Sequence, residues 1–429
     1  MADDPSVLIC TVSGSPEPIV SAIRAQRPVH VCFLCSARDG ETPGSEDQVA
    51  GILAACAPTN ASHEIRIVPA DDPDGAFVVA REALAALRRR FPEALLGADH
   101  TGGTKSMTAA LMLAATATPD DRLVVQFMAG QRRDLVRVVG GSERPVRMTL
   151  EAVIAERALD RARTAWRRFG WVEALAILPD DPAGLPPPLD REIAELRAAS
   201  AVLAAWDRFE HETALERLDA AGLDDLARWR PALERLAAER AEEREPLALY
   251  DLWLNALRRA ARGQYDDAVA RAYRLVEWSA QYVLRVKLNI IRTDRVSRHE
   301  LGDELFDYFA RGRDHKTLKI GLEQALDVIG VKLPDHPLTR LLGAKQLAGG
   351  GTKCKGDATP HLKALVDPGS GWKERRNRSI LAHGDRPIGQ EVWKTVEHWC
   401  QEKWVPWLEG ELRDSRQDLA QLPRTWPPA

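Results

Sequence analysis

Asp99-His-Thr-Gly-Gly-Thr-Lys-Ser-Met107 follows the apolar run Ala94-Leu-Leu96 and opens a helical pattern over 105–116, so it reads as a strand-to-helix turn. Gly102 and Gly103 let the backbone take positive φ and approach a ligand without a Cβ clash. Thr104, Lys105 and Ser106 then begin the helix, where free N–H groups and the helix dipole favour anions. The hydroxyls of Thr101 and Thr104 can donate to a phosphate or ribose, and Lys105 can supply charge. The turn has neither the Gly-x-x-x-x-Gly-Lys spacing of a Walker A loop nor the Gly-x-Gly-x-x-Gly spacing of a dinucleotide fingerprint. A packing turn needs only its two glycines. Here hydroxyls and a lysine crowd the place where a ligand would sit.

Working outward, Val7-Leu-Ile-Cys-Thr-Val12 is a short apolar run that ends in Ser13-Gly14-Ser15-Pro16. Val29–Cys35 and Glu64-Ile-Arg-Ile-Val68 are further runs. Leu123-Val-Val-Gln-Phe-Met128 and Leu135-Val-Arg-Val-Val139 read as a closing hairpin through Gly130-Gln-Arg-Arg-Asp134. Helical patterns lie between the runs at 17–26, 45–57, 74–90 and 105–116. Apolar strands alternating with helices predict an α/β domain over 1–148 with a parallel, doubly wound sheet. In such a sheet the loop Thr11-Val-Ser-Gly-Ser15 and the glycine turn share the carboxyl edge, where ligands bind.

The pattern then changes to all-α. Residues 149–245 carry no strand signal and read as a helical linker domain, rich in Leu, Ala, Glu and Arg at helical spacing. No heptad register is sustained, so a packed bundle is expected rather than a coiled coil. A third domain spans 246–429. It opens with a helical hairpin, Leu247–Arg262 and Tyr265–Lys287, turned at Arg262-Gly-Gln264. A Gly/Lys/Asp/Pro-rich loop is expected over 345–371, and a poorly ordered tail from about 412.

A chain of 429 residues is too long for one ordinary core, and 45% hydrophobic with 28% charged residues is globular composition. No apolar run approaches the roughly 18 residues of a membrane span, so no membrane partner is expected. Met1-Ala-Asp-Asp-Pro5 has no basic n-region and no cleavage pattern of a signal peptide. Cys32-Phe-Leu-Cys35 has C-x-x-C spacing, but residues three apart on a strand point to opposite faces. The six cysteines are therefore read as buried thiols of a reducing, cytoplasmic setting, and no metal site is expected. The net charge of −4 argues against a protein coated in nucleic acid. Residues 345–386 nevertheless carry nine Lys/Arg against four acids, a local basic stretch inside an acidic whole.

That stretch contains Trp372-Lys-Glu-Arg-Arg-Asn-Arg-Ser-Ile-Leu-Ala-His383-Gly384, which reads as a helix with a glycine stop. Seven residues turn through about 700°, so Arg376 and His383 share a face, while Arg378 lies roughly 140° from His383. RNA can be cleaved without metal when a base deprotonates the 2′-OH, an acid protonates the leaving 5′-oxygen and a cation steadies the oxyanion. Histidine suits the proton transfers and arginine the phosphate. Asn377 can orient a group or hold phosphate. On composition alone, such a helix is a salt-linked surface helix.

Two family resemblances give these motifs a common context. A first strand ending in Thr-x-Ser, with a later Asp-x-Thr-Gly-Gly-Thr-Lys-x-Met, resembles the CARF family (CRISPR-associated Rossmann fold) over residues 1 to about 145. The resemblance implies a dimer binding one cyclic oligoadenylate across its two-fold axis. Thr11, Ser13 and Gly14 would touch the ring from one loop, and Thr101, Gly102, Gly103, Thr104 and Lys105 from the other. Gln131 or Arg132 would cap it. Arg-Asn followed by Ala and His-Gly resembles the HEPN ribonuclease motif, Arg-x(4–6)-His. It implies catalytic Arg376, Asn377 and His383, with Arg378 as the four-residue alternative. Ala260-Ala-Arg-Gly-Gln-Tyr-Asp-Asp-Ala-Val with Tyr273-Arg-Leu-Val-Glu277 resembles the first HEPN hairpin and makes Glu277 a candidate neighbour of the arginine. HEPN sites form where two protomers meet, so a homodimer is expected.

Together these readings predict a ribonuclease of type III CRISPR antiviral defence. It would be switched on by cyclic oligoadenylate, need no cofactor or metal, and cleave single-stranded RNA to 2′,3′-cyclic phosphate and 5′-OH ends. The alternatives are a ring nuclease, whose N-terminal domain degrades the oligoadenylate, and a non-catalytic ligand-sensing regulator.

Overall fold

The computed structural model describes residues 6–57, 61–118, 120, 122–130, 142–148, 150–181, 184–239, 241–338, 387–412 and 419–428. The chain forms two compact units, Met1–Arg157 and Ala158–Ala429.

The first unit runs β1 (Val7–Thr11), α1 (Glu17–Gln26), β2 (His30–Cys35), α2 (Val49–Ala55), β3 (Ser62–Ile67), α3 (Pro73–Arg90), β4 (Leu96–Asp99), α4 (Lys105–Ala117), β5 (Leu123–Ala129) and β6 (Arg144–Met148). The sheet order is β3-β2-β1-β4-β5-β6. The first five strands are parallel and β6 is antiparallel to β5. The chain walks outward from β1 to β3 and then crosses back to β4. The order thus reverses between β1 and β4, which is the topological switch point of a doubly wound sheet.

Both faces of the central strands are covered, which is why those strands are continuously apolar. Val7, Ile9, Cys32 and Leu34 pack with Ala80 and Leu84 of α3 and Ala110 and Leu111 of α4. Leu8, Cys10, Phe33 and Cys35 pack on the other face with Ile19 and Ile23 of α1 and Ile52 of α2. Cys32 and Cys35 therefore fall on opposite faces, as the strand alternation requires, and both are free thiols. Burial pushes the Cys35 thiol up to about 12, and Cys32 is also raised, first by burial.

One strand departs from the sequence reading. The antiparallel partner of β5 is Arg144-Pro-Val-Arg-Met148, with Pro145 opposite Met128. The expected partner, Leu135–Val139, lies outside the described residues. Two arginines and a proline conceal β6 from a hydropathy reading, yet proline is tolerated on a strand at the sheet edge.

From α5 (Glu151–Trp166) onward the chain is helical: α6 (Trp171–Ile177), α7 (Pro187–Asp207), α8 (His211–Ala221), α9 (Arg230–Leu236), α10 (Ala241–Ala261) and α11 (Tyr265–Leu288). There follow α12 (Arg298–Leu301), α13 (Asp303–Ala310), α14 (Leu322–Lys332), α15 (Gln390–Trp399) and α16 (Val405–Leu412). A two-residue ribbon, β7 (Val296–Ser297) with β8 (Thr317–Leu318), escaped the all-helical reading. Gly263, at φ +75°, turns α10 into α11. The sequence break placed at 245 falls inside α10.

Large aromatics fill the helical core. Trp166, Trp206, Trp229 and Trp404 are fully buried. Trp166 donates to Ser200 Oγ at 2.8 Å and Trp404 to Ser279 Oγ at 3.0 Å, which satisfies their indole N–H groups. The C-terminal segment corrects an expectation of disorder. Leu419, Leu422 and Trp426 are buried, and the Trp426 ring lies 5.7 Å from Trp166. Gln421 accepts from Arg258 Nη1 at 2.9 Å. Prolines and charges made the tail read as loose, while its few apolar side chains do the anchoring. The loop expected over 345–371 lies outside the described residues.

Candidate functional site

The β1 and β4 loops meet at the switch point. Gly102 is where they touch: a Cβ there would sit 2.6 Å from Thr11 O and 3.2 Å from Ser13 N. Only glycine permits that approach. Gly103 follows at φ +95°. Thr104 then caps α4 by accepting Met107 N–H at 3.3 Å.

The threonine hydroxyls are struts. Thr11 Oγ1 donates to Gly102 O, tying β1 to the turn. Thr101 Oγ1 donates to Asp99 Oδ1 and accepts Met128 N–H at 2.7 Å, tying the turn to β5. Thr104 Oγ1 donates to Ala70 O, tying it to the segment after β3. These donor hydrogens are committed to the protein, so the expectation that Thr101 and Thr104 donate to phosphate or ribose is revised. The reason is local: each hydroxyl finds a backbone or carboxylate acceptor within its own fold.

Asp99 organises the turn from beneath. It is 2% exposed and accepts Thr101 N–H at 2.9 Å, the Thr101 hydroxyl and Gln126 Nε2 at 3.2 Å. Burial pushes its carboxyl up, and the Thr101 and Gln126 hydrogen bonds pull it back. Beside it, burial lowers His100, whose Nε2 lies 3.3 Å from Met148 Sδ. Neither Asp99 nor Gln126 was singled out from sequence. A buried polar residue ending one strand beside a glutamine inside the next was the available signal.

Groups of other kinds stay open to a ligand. Lys105 is exposed and has no ion-pair partner among the described residues. The N–H groups of Lys105 and Ser106 lie in the first turn of α4, ahead of the capped Met107 N–H, where a helix has no internal acceptor. Ser13 is half-buried, its hydroxyl making 3.3 Å contacts within the loop to Ser15. Gly14 is exposed, with open space where a Cβ would point. The edge thus offers backbone N–H groups, one serine hydroxyl and one lysine, a set suited to an anion.

In the second unit, Glu277 lies on α11 and accepts from Arg274 Nη1 at 2.8 Å, both side chains being partly exposed. Arg274 also lies over the Trp278 ring and donates to Gln281 at 3.2 Å. Arg376, Asn377, Arg378 and His383 lie outside the described residues, as do Gln131 and Arg132. Ile388 N–H, just past them, donates to both Asp266 carboxylate oxygens at 3.0 and 3.1 Å. Among the described residues no group of His, Cys, Asp and Glu could hold a metal ion. None of their helices is long and apolar enough to cross a membrane.

Residues 237–346 match the family model of the Csm6 HEPN domain, a span that takes in α10 to α14. Comparison with curated proteins gives no match. Among solved structures, Enterococcus italicus Csm6 bound to cyclic hexa-2′-fluoro-hexa-dAMP is similar along 96% of this chain and 96% of that chain, at 11% identity and a TM-score of 0.55. Can2 from Sulfobacillus thermosulfidooxidans in complex with cyclic tetra-adenylate matches 50% of this chain and 68% of that chain, at 13% identity and a TM-score of 0.25, too slight a likeness to argue from. Residues 237–346 thus match the HEPN domain of Csm6, and the chain shares its fold, a Rossmann-like sheet followed by helices, with Csm6 along nearly its whole length.

Proposed function

We propose that the protein is a cyclic-oligoadenylate-activated endoribonuclease that cleaves single-stranded RNA without metal in type III CRISPR defence. One observation carries the reading: a single chain joins an anion-ready turn at a sheet switch point to helices that match the Csm6 HEPN domain. The Csm6 relative holds a cyclic hexanucleotide analogue, which supports a cyclic oligoadenylate as the ligand here. Gly102, Gly103, Lys105, Ser13 and Gly14 would meet its phosphates and sugars. Thr11, Thr101 and Thr104 would hold the turn in shape behind them.

Catalysis is assigned to Arg376, Asn377 and His383, with Arg378 as the alternative arginine. Histidine would exchange the proton with the leaving 5′-oxygen, and arginine would steady the phosphorane oxyanion. Glu277 would orient the arginine across the helical hairpin. Two protomers would each give one Arg…His element, so a homodimer is the working unit. Ring binding would favour the dimer state that aligns them, which requires different affinities for the two states.

The test is cleavage of a fluorogenic single-stranded RNA in EDTA with cyclic tri-, tetra- and hexa-adenylate, beside His383→Ala, Arg376→Ala and Arg378→Ala. Cleavage with one ring size, lost in His383→Ala, is the expected result. Arg376→Ala should also abolish it and Arg378→Ala should not. A ring that binds without RNA cleavage would overturn the ribonuclease reading and leave a ring nuclease or a regulator.

A further inference from the structure

The helical unit holds a cluster of buried charges built from α7, α8 and α10. Asp251 on α10 is fully buried and accepts three donors: Trp206 Nε1 at 3.1 Å, His211 Nε2 at 3.1 Å and Arg258 Nη2 at 3.3 Å. Arg258 Nε also reaches Asp207 at 2.8 Å, and Arg259 reaches the same carboxylate at 2.7 Å. Two carboxylates and two guanidiniums balance in charge. Burying four ions is costly unless their geometry is tightly held. One product of that geometry is a fixed imidazole. Asp251 can only accept, so Nε2 of His211 carries the hydrogen between them. Nδ1 is left without a partner among the described residues.

The His211 ring, nine-tenths buried, lines a cavity of about 440 Å³. That volume suits a small ligand. Arg244 also lines it, half-buried, with neither ion pair nor hydrogen bond to any described residue. Trp278 forms an aromatic wall, its ring held by a 3.0 Å hydrogen bond from Nε1 to the buried Glu245. The first turn of α8 borders the cavity, and its cap residue Glu210 makes no side-chain hydrogen bond to it. The Glu210 carboxylate is instead paired with Arg208 at 2.6 Å, and Glu212 is exposed.

We propose that this cavity binds a nucleoside monophosphate. The base packs against Trp278, the phosphate takes the fork of Arg244 and the N–H groups of α8, and His211 Nδ1 meets a hydroxyl of the sugar or phosphate. An arginine with no partner among the described residues accounts for an anion but not a flat wall. The tryptophan accounts for a ring but not a charge. A nucleotide answers both. The site is independent of the ribonuclease reading.

The experiment is calorimetric titration of the full chain with AMP, adenosine and inorganic phosphate. AMP should bind in the submillimolar range, with adenosine and phosphate each at least tenfold weaker. Arg244→Ala should weaken AMP at least tenfold. Trp278→Phe, which keeps a ring, should retain binding that Trp278→Leu loses. Lys105→Ala, at the sheet edge, should leave AMP binding unchanged. No heat with millimolar AMP, or full affinity in Arg244→Ala, overturns the proposal. So does loss in Lys105→Ala, which would place AMP at the sheet edge instead.

Discussion

Replacing Gly102 with alanine should damage the sheet-edge site more than any other single methyl group added there. The added Cβ would lie 2.6 Å from Thr11 O and 3.2 Å from Ser13 N, both backbone atoms that cannot swing away. To reach an ordinary contact, the two loops must part by about 0.8 Å at their closest point. Overpacking of this kind costs about 1–3 kcal/mol. The Thr11 hydroxyl donates to Gly102 itself, so the same shift strains that bond, worth about 0.5–1.5 kcal/mol. The sum is roughly 2–4 kcal/mol, enough to weaken ligand affinity at least about tenfold if even part of it falls on the bound state. Gly14→Ala is the matched control, because nothing lies within 4 Å of its would-be Cβ. Hydrogen exchange at β1 and β4 amides should quicken in Gly102→Ala and not in Gly14→Ala, and calorimetry with cyclic oligoadenylate should follow suit. Equal behaviour of the two variants in both assays would refute the reasoning.

Thr101→Val should destabilise the first unit by about 2–4 kcal/mol in denaturant unfolding, because it strips the Met128 N–H of its acceptor and Asp99 of a donor. Lys105→Ala should leave the unfolding midpoint unchanged while weakening ring binding about tenfold, read by calorimetry. In the helical unit, burial pushes the Asp251 carboxyl up, but the His211 hydrogen bond and the Arg258 charge outweigh it and hold it below the ordinary carboxylate range. A depressed pKa contributes stability above the unfolded value near ~3.9 and loses it as pH falls through the lower folded value. Melting followed by circular dichroism should therefore drop below about pH 4 in the native chain, and less steeply in Asp251→Asn. That variant should already be weaker at neutral pH by about 3–5 kcal/mol, since it leaves buried guanidinium charge unpaired. Trp426→Ala should loosen the C-terminal segment and lower the melting temperature of the helical unit, at a cost of about 3–5 kcal/mol.

The doubly wound sheet was legible because its signal is local and periodic. Runs such as Val7–Thr11 are apolar on both faces, and α1 and α4 start where their turn residues say. The glycine turn was legible as a place, since two glycines before a helix have few other uses. Its inner workings were not. Whether Thr104 donates to a ligand or to Ala70 depends on a residue 34 positions away, which spacing does not reveal. β6 was hidden because its pairing with β5 is tertiary and its arginines and Pro145 break the strand pattern. The Asp207–Asp251–Arg258–His211 cluster was invisible for the same reason. Its members look like the ordinary charged face of helices until packing turns them inward.

Arg258 reaches across 163 positions of sequence to Gln421, whose amide in turn donates to Leu254 O at 3.1 Å. During synthesis that guanidinium waits, one donor open, through the emergence of everything between them. The contacts with residues 419–428 form only after those residues are synthesised, so a chain stopped short of them would leave the Arg258 Nη1 donor without Gln421 and the Trp166 ring without Trp426.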